Sequence, residues 1–404
     1  MPNCDETYQN KKNKSANAPV WIATLPAIET LRECVECETL IAVDTESDSF
    51  YSYFEKVCLL QVSTHEMDYI VDPLVFPDAN GVATLAPIFA DARIQKIFHA
   101  AEYDILCLKR DYHFEFKNIF DTMIAARILG WKNVGLGSIL QERFSIILNK
   151  KMQRSNWGHR PLTAEQIAYA SNDTHYLIAL HDLQISELKK MGRLEEAYER
   201  FEQLTHVPPA VRHFNPDAYL NITGAKDMDQ ISLGVLRELF RFRDRQARKE
   251  NRPVFRILPD SMLIHLATVH SDMLHDFSRI HDISRYTVQR YGHAILDAVN
   301  RGRAMPQMTM PYLQLRGQLP LDNDARVRFA RLKDWRKQRA VVRGVDPDVI
   351  VSNNVLFVAA RENPLSIESL VAVSDLGQWK AQEYGEEILS VLQTCKSLLT
   401  ETKT

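Results

Sequence analysis

The second half of the chain repeats itself, and this repeat is the feature that most restricts the fold. The segment FRDRQARKENRP (242–253) aligns with WRKQRAVVRGVDP (335–347), with one extra residue in the second copy. An apolar helical pattern follows in each copy, SMLIHLA at 261–267 and VLFVAA at 355–360. The copies end on related signatures, YGHAIL and YGEEIL, at the same offset of 93 or 94 residues. The pattern therefore predicts two small, wholly helical domains that arose by duplication.

The front of the chain follows a different pattern. LIAVDTES, KVCLLQVST, MDYIVDP and KIFHAA are short apolar runs and predict strands. Two helical segments follow, AEYDILCLKRDY and NIFDTMIAARILG, the latter with Asp121 as its N-cap and Gly130 as its end. One long helix is predicted to start at a capping box of Thr163 and Gln166 and to end at Gly192. Strands followed by helices predict an α/β domain with a mixed sheet covered by helices.

These patterns divide the chain into six segments. Residues 1–17 are polar and predict a disordered tail, and residues 18–205 form the α/β domain. Residues 206–229 contain Pro208, Pro209, Pro216 and Gly224 and are interpreted as a linker. The two all-α domains are predicted at 230–304 and 322–398, joined by a second linker at 305–321.

Composition fits a globular protein with a core of ordinary size, since 45% of the 404 residues are hydrophobic and 25% are charged. No stretch approaches the ~20 apolar residues of a membrane span. The polar N-terminus also lacks the apolar region of a secretory signal. A cytoplasmic location without a membrane partner is therefore expected. Cys34 and Cys37 form an isolated C-x-x-C in a helical pattern, which predicts buried thiols on a helix face because a structural zinc site needs four ligands.

Charge is distributed unevenly along the chain. Residues 1–236 hold 23 Lys and Arg against 32 Asp and Glu, whereas residues 237–303 hold 13 against 8. Residues 325–396 are nearly balanced, with 11 against 9. The acidic front could hold metal ions while the basic rear contacts phosphates. The alternative is a solvated charged surface, which charge alone favours.

Three short motifs carry the residues that could perform chemistry. Asp44 and Glu46 are two residues apart on a predicted strand and therefore point to the same face. Asp104 lies in the first turn of the helix that follows KIFHAA. Tyr169 and Asp173 are four residues apart and share one face of a helix. Each motif alone has an ordinary explanation as a solvated or helix-capping acid.

Together, the four acids suit a phosphodiesterase. Hydrolysis of a phosphodiester needs an activated water and a stabilised leaving oxygen, and two divalent ions about 3.5–4 Å apart supply both. Hard ions such as Mg²⁺ and Mn²⁺ prefer carboxylate oxygens. Four clustered carboxylates would repel one another without a cation, so a cation is their natural partner.

The three motifs, in this order, resemble those of the DEDD exonuclease superfamily in its tyrosine subtype. The resemblance implies a ribonuclease H-like fold in which Asp44, Glu46, Asp104 and Asp173 bind two divalent metal ions, Mg²⁺ or Mn²⁺. It also implies that Tyr169 orients the attacking water. The histidine subtype would place a His one residue earlier, where this chain has Ala168.

The surrounding segments DTESDSFYSYFEKVCLLQVS, KIFHAAEYDILCLKRDY and SNWGHRPLTAEQIAYASNDTHYL resemble ribonuclease D, and the rear repeats resemble the HRDC (helicase and RNase D C-terminal) module. This resemblance implies a 3′→5′ exoribonuclease that releases nucleoside 5′-monophosphates. Its expected partner is RNA with a single-stranded 3′ end, such as a tRNA precursor, and no obligatory protein partner is evident. Two alternatives stay open: a 3′→5′ DNA exonuclease like those attached to some RecQ helicases, and a catalytically inactive nucleic-acid-binding protein.

Further residues are weaker candidates for substrate binding. Phe50 and Tyr51 could stack on the terminal base or pack at the rim. Gln61 could bind the substrate backbone or cap a strand, and His99 is interpreted as a core histidine with a satisfied hydrogen bond. Segments beside the last motif and on the first repeat could contact phosphates: Trp157, His159 and Arg160 near the cleft, and Arg241, Arg243, Arg245, Arg248, Lys249 and Arg252 on one basic helix face.

Overall fold

Six strands form one mixed sheet in the front of the chain. The computed structural model describes residues 18–78, 80–209, 214–268, 284–305 and 321–401. The predicted tail at 1–17 and most of the predicted second linker, residues 306–320, lie outside the described residues. The strands are β1 (Val20–Ile22), β2 (Leu40–Ser47), β3 (Val57–Ser63), β4 (Asp68–Val71), β5 (Gln95–Phe98) and β6 (Ile119–Asp121).

The strand order β1-β4-β3-β2-β5-β6 places β2 near the centre of the sheet. β2 runs antiparallel to β3 and parallel to β5, and β5 runs parallel to β6. This arrangement confirms the predicted mixed sheet. The outermost strands β1 and β6 were not predicted, because three residues are too few to show an alternation.

Helices cover both faces of this sheet. Ile41 and Val43 of β2 pack with helices on one face, and Ala42 packs with helices on the other. Asp44 and Glu46 share the face of Ala42 because side chains alternate along a strand. The helices are α1 (Leu25–Glu36), α2 (Asn80–Ala83), α3 (Ala86–Ala90), α4 (Glu102–Tyr112), α5 (Thr122–Leu129), α6 (Leu136–Phe144), α7 (Ala164–His175), α8 (Leu177–Lys190) and α9 (Leu194–Thr205).

The predicted helix ends are confirmed, with one correction. Asp121 accepts from the backbone of the first turn of α5, Gly130 ends that helix with φ 78°, and Thr163 and Gln166 form the capping box of α7. The predicted long helix from Thr163 to Gly192 is wrong, because it breaks at Tyr176 into α7 and α8. The break follows Thr174, whose hydroxyl bonds Ser171 O within the helix, a contact that bends helices.

The predicted buried thiols are also a wrong expectation. Cys34 lies on α1 and Cys37 caps its C-terminus, and both are exposed. The buried positions of α1 are Ile28, Leu31 and Val35. The apolar face of this helix is therefore filled by aliphatic residues, and both cysteines fall outside it.

Two compact units can be distinguished among the described residues. One unit combines residues 18–47, 57–209 and 321–401, and the other combines residues 48–56 with residues 214–305. The rear helices are α10 (Gln230–Glu250), α11 (Val254–Ile257), α12 (Asp260–Thr268) and α13 (Arg285–Arg303) in the first copy, and α14 (Asn323–Arg343), α15 (Pro347–Ile350), α16 (Asn353–Glu362), α17 (Ile367–Val373) and α18 (Gln378–Glu401) in the second.

The structure reproduces the repeat inside each helical domain. α10 and α14 are both 21 residues long. Each carries a buried arginine at the equivalent position, Arg243 and Arg336. Arg243 donates to Leu258 O at 3.1 Å, and Arg336 donates to the equivalent Val351 O at 2.8 Å. These contacts confirm the predicted pair of helical domains.

The segment interpreted as a linker before the first helical domain is partly packed. Residues Ala218–Asn221 and Ala225–Asp227 form short 3₁₀ turns. Tyr219 and Leu220 are buried in the hydrophobic core of that domain. The boundaries of the six segments stay predictions.

The second helical domain docks on α9 and α5 of its own unit. The buried Glu196 of α9 pairs with Arg343 of α14, with an N–O distance of 2.6 Å. Beyond Arg343, the carbonyl of Gly344 lies so close to Gly130 that a Cβ at Gly130 would overlap it. Arg127 of α5 pairs with Asp348 at 2.6 Å. Among the described residues, no helix is long and apolar enough to cross a membrane.

Candidate metal and catalytic site

The first two acids of the site project from the end of β2. Asp44 and Glu46 lie on one face of the strand, as their spacing predicts. The register between β2 and β3 shifts after Glu46, so the strand bends immediately beyond this pair. Both side chains are partly exposed, because they open into a cleft that is described below.

Asp104 enters the site from the first turn of α4, as predicted. Its carboxylate accepts hydrogen bonds from Thr45 N at 3.1 Å and from the Thr45 hydroxyl. Thr45 stands between the two acids of β2, so the same residue that separates them also fixes the third. The turn before α4 is held by Asp121, which accepts from the backbone N–H of Ala101 at 2.7 Å.

α7 supplies the last acid and the tyrosine. Tyr169 and Asp173 lie one turn apart, and the Tyr169 hydroxyl hydrogen-bonds to the Asp173 carboxylate. The face of α7 towards the sheet is fixed by Thr174, whose hydroxyl lies 2.7 Å from that of Ser63 on β3. The hydroxyl of Tyr169 is therefore directed to the acids and not to a backbone carbonyl.

These residues line one cleft of about 390 Å³, which we call the acidic cleft. Carboxylate oxygens of Asp44, Glu46 and Asp173 lie within 4.8 Å of one another. The cleft is bounded by the following residues: Asp44, Thr45, Glu46, His99, Ala100, Tyr103, Asp104, Gly135, Leu136, Gly137, Leu148, Gln153, Tyr169 and Asp173.

Burial and mutual repulsion raise the pKa of every acid in the cleft. Burial, followed by the neighbouring carboxylates, holds the pKa of Asp44 and Glu46 well above the usual range. Burial raises the pKa of Asp104 to about 7, although the hydrogen bonds from Thr45 oppose the shift. Burial likewise raises the pKa of Asp173 to about 7. Four acids that cannot all ionise at neutral pH on their own make a site that gains from a bound cation.

The donor set fits hard divalent cations. It consists of carboxylate oxygens without sulfur or imidazole ligands, which is the set that Mg²⁺ and Mn²⁺ prefer. Three separate elements contribute the four carboxylates, so one or two ions could be contacted from several sides. The geometry of the described residues thus agrees with a metal centre.

Two of the predicted substrate contacts are buried in the structure. Gln61 faces the same side of the sheet as Asp44, its partner across the β2–β3 ladder, but it is 0% exposed. Its amide nitrogen and oxygen make no hydrogen bond within the described part of the chain. Trp157 is 1% exposed and packs with its ring centroid 6.0 Å from that of Tyr169. Trp157 therefore packs beside the tyrosine, and the predicted RNA contacts of Gln61 and Trp157 stay predictions.

Arg160, a predicted phosphate contact, makes structural hydrogen bonds within the domain. Arg160 donates to Asp72 at 2.7 Å and to Cys58 O at 2.9 Å, and it does not line the acidic cleft. It therefore fastens the loop before α7 to the β3–β4 region. His159 is exposed but is also absent from the cleft lining.

The remaining predicted contacts lie in the other unit. Phe50 and Tyr51 belong to residues 48–56, and the basic residues belong to α10. Arg243 does not belong to an exposed basic face, because it is buried and pairs with Asp260 at 2.5 Å. Arg241 pairs with Glu238, Arg252 pairs with Glu250, and the basic side chains exposed on α10 are Arg245, Arg248 and Lys249.

Tyr103 and His99 both line the cleft. Tyr103 was not singled out from the sequence, and His99 was interpreted as a core residue. Tyr103 is 44% exposed in the cleft, and its position directly before Asp104 in the first helical turn was the available signal. The Nδ1 of His99 lies 2.9 Å from the Thr122 hydroxyl as expected, but the residue also borders the cleft. Burial lowers the pKa of His99 to about 4, so its ring is neutral at pH 7.

Two protein families match separate parts of the chain. Residues 19–189 match the 3′-5′ exonuclease family, and residues 232–299 and 325–392 match the HRDC domain. A ribonuclease D of Gluconacetobacter diazotrophicus is 27% identical over 377 residues, which cover 92% of each chain. Protein RRP6-like 3 of Arabidopsis thaliana is 31% identical over 271 residues, covering 61% of this chain, and the match spans 30% of that relative's length.

A solved structure extends the similarity to the fold. The crystal structure of Escherichia coli RNase D, described as an exoribonuclease involved in structured RNA processing, superimposes with a TM-score of 0.66. The alignment covers 93% of this chain and 99% of that chain at 23% identity. At this identity, the likeness establishes a shared fold across the sheet domain and the two helical domains.

Proposed function

We propose that this chain, which belongs to the ribonuclease D-like DEDD 3′-5′ exonucleases, removes nucleotides from the 3′ end of RNA by metal-dependent hydrolysis. The observation that carries the proposal is the single cleft in which four acids from three elements meet the hydroxyl of Tyr169. The family is dependent on divalent metal ions, and the acidic cluster suits such ions.

Six residues of the cleft have a role in this proposal. Asp44, Glu46, Asp104 and Asp173 would hold two divalent cations, Mg²⁺ or Mn²⁺. When bound, these ions supply an activated water and stabilise the leaving 3′ oxygen. Thr45 is a positioning residue, because its N–H and hydroxyl hold the Asp104 carboxylate in place.

Tyr169 would orient the attacking water. Burial raises the pKa of its hydroxyl, and the neighbouring Asp173 adds to the shift, so the hydroxyl stays protonated. A protonated hydroxyl that donates to Asp173 keeps its oxygen lone pairs for a hydrogen bond from water. Such a contact would align the water with the scissile phosphate, where misplacement by ~1 Å can cost ~100-fold in rate.

The relatives support the choice of polymer. The name ribonuclease D favours RNA, and the acidic cleft of about 390 Å³ is the proposed entry for a single-stranded 3′ end. We therefore propose tRNA precursors and other structured RNAs with a 3′ tail as substrates, nucleoside 5′-monophosphates as products, and the cytoplasm as the place of action. A 3′→5′ DNA exonuclease is the second candidate, since the metal site would serve either polymer.

The test is digestion of a 5′-labelled tRNA with a short 3′ tail, compared with a DNA oligonucleotide of the same tail sequence. We expect stepwise shortening of the RNA in Mg²⁺, no shortening in EDTA, and much slower loss of the DNA. Faster digestion of DNA would establish the second candidate. Internal cleavage, or shortening of RNA in EDTA, would contradict the proposal.

A further inference from the structure

Residues 48–56 follow the metal-binding end of β2 in the chain but fold with the first helical domain. The side chain of Tyr53 is 5% exposed and belongs to the hydrophobic core of that domain. Its hydroxyl donates to Asp244 of α10 at 2.8 Å. The next residue, Phe54, donates its N–H to the side-chain oxygen of Asn251 at 2.9 Å. The helical domain therefore holds this segment through both a buried ring and the backbone.

The segment is also fixed internally. Asp48 is 4% exposed and accepts from Lys56 N at 2.9 Å and from the Ser52 hydroxyl at 2.6 Å. The two ends of the segment are thus tied together by one buried carboxylate. Asn251, which receives Phe54, is the C-cap of α10 with φ 46°, a conformation that Asn tolerates better than most residues.

This arrangement brings two guanidinium groups against two rings. The guanidinium carbon of Arg256 lies 4.4 Å from the ring centroid of Tyr51, and that of Arg248 lies 5.8 Å from Phe54. Three phenylalanines are unusually exposed for their size, Phe50 at 43%, Phe54 at 53% and Phe255 at 47%. We call these residues the aromatic surface: Tyr51, Phe54, Arg248 and Arg256.

We infer that the aromatic surface binds a single-stranded segment of the RNA substrate, and that the first helical domain builds it. The inference rests on the proposed function and deepens it by naming where the tail is held. Aromatic side chains stack on bases of any sequence, and arginines bind the phosphates between them. Exposed rings beside guanidinium groups combine both contacts.

The chemistry favours a single strand over a duplex. In an A-form duplex the base faces are stacked on one another, so a duplex would meet the arginines but leave the rings unused. Two acids near this surface are not placed to repel phosphates. Asp48 is buried, and the carboxylate of Glu250 is bound by Tyr291 and Arg290. The half-buried Glu55 is the remaining acid of the 48–56 segment.

The test measures binding of the full-length protein to a fluorescent 12-nucleotide oligo(A) in EDTA, where hydrolysis cannot occur. Phe54→Ala should weaken binding about 5- to 50-fold with an unchanged salt slope, because it removes stacking. Arg256→Ala should weaken binding several-fold and reduce the slope of log K against log salt by about 0.7, because it removes one phosphate contact. Binding of an RNA duplex should change little in Phe54→Ala.

The matched control comes from the second helical domain. Arg361 lies 6.0 Å from the ring of Phe357, and Arg361→Ala should leave oligo(A) binding within about twofold. Both tested residues are exposed, so thermal melting should confirm intact folding. If Phe54→Ala and Arg256→Ala bind oligo(A) like the wild type, the inference is overturned and the surface is left to a protein partner. If the wild type binds oligo(A) as expected but does not shorten RNA in Mg²⁺, the proposed function fails while the surface stands.

Discussion

The acidic cleft and the aromatic surface carry charge in opposite ways. In the acidic cleft, like charges are buried together, and the pKa of Asp104 and Asp173 is raised to about 7. On the aromatic surface, Arg248 and Arg256 are exposed and lie against rings. Buried charges interact strongly and are little screened, whereas exposed charges are weakened by salt. Changes in the cleft should therefore act on rate and metal dependence, and changes on the surface should act on affinity and salt dependence.

The largest expected effect is that of Asp104→Asn. The substitution keeps the volume but removes a carboxylate, and removal of one metal-binding charge should lower turnover by at least about 1,000-fold. Glu102→Gln is the matched control, because Glu102 is an exposed acid in the same helical turn that does not line the cleft. Turnover at saturating Mg²⁺ measures both. A variant with wild-type turnover and a normal circular dichroism spectrum would remove Asp104 from the site.

Tyr169→Phe should have the next largest effect. The ring and its packing against Trp157 remain, and all four acids remain, so only the alignment of water is lost. We expect turnover to fall about 10- to 1,000-fold with an unchanged Mg²⁺ requirement. Tyr103→Phe removes another hydroxyl of the cleft, which lies 3.1 Å from Ser47 Oγ, and should stay within about twofold. Equal losses in both variants would mean that Tyr169 has no special role.

The next effect in size is the dependence of stability on pH, which should come from the acidic cleft and not from the aromatic surface. The folded pKa of Asp104 and Asp173 is about 7, against about 3.9 for an unfolded Asp, so the folded protein binds more protons. Without metal, the contribution of these two groups to the free energy of unfolding should be fully present below about pH 4. It should be lost as the pH rises towards about 7.

Mg²⁺ should reverse this decline because it binds the ionised carboxylates. The rise in Tm caused by Mg²⁺ should be at least about 3 °C larger at pH 8 than at pH 5. In Arg256→Ala, the Mg²⁺ response should equal that of the wild type. A response independent of pH would contradict the assignment of these acids to the metal centre.

The smallest expected effect is that of Lys249→Ala on α10. Lys249 is exposed on α10, so Lys249→Ala should weaken oligo(A) binding about two- to threefold and lower the salt slope by up to about 0.7. Lys337→Ala on α14 is the matched control and should leave the slope unchanged. Equal slopes in the two variants would limit RNA contact to the rings and arginines of the aromatic surface.

The sequence predicted the chemistry better than the contacts between segments. The spacing of Asp44 and Glu46 on a strand, and of Tyr169 and Asp173 on a helix, places each pair on one face by local geometry alone. Gln61 was offered as a substrate contact or a strand cap, and the sequence could not show that this residue is covered in the fold. Burial depends on residues distant in the chain, which local patterns do not contain.

The two helical copies also differ in contacts that the sequence does not predict. Asn251 and Gly344 are equivalent C-caps with positive φ. In the structure, Asn251 binds Phe54, 197 residues away, whereas the carbonyl of Gly344 lies against Gly130. A repeat therefore predicts the helices and internal contacts that its copies share. It does not predict which other segment of the chain each copy packs against.

The most direct test of this division of labour is single-turnover hydrolysis of a tailed RNA at saturating Mg²⁺, measured over a range of protein concentrations. Tyr169→Phe should lower the maximal rate about 10- to 1,000-fold and leave the half-saturating concentration unchanged. Phe54→Ala should raise the half-saturating concentration about 5- to 50-fold and leave the maximal rate within about twofold. Maximal rates lowered equally in both variants, with no change in half-saturation, would contradict the account.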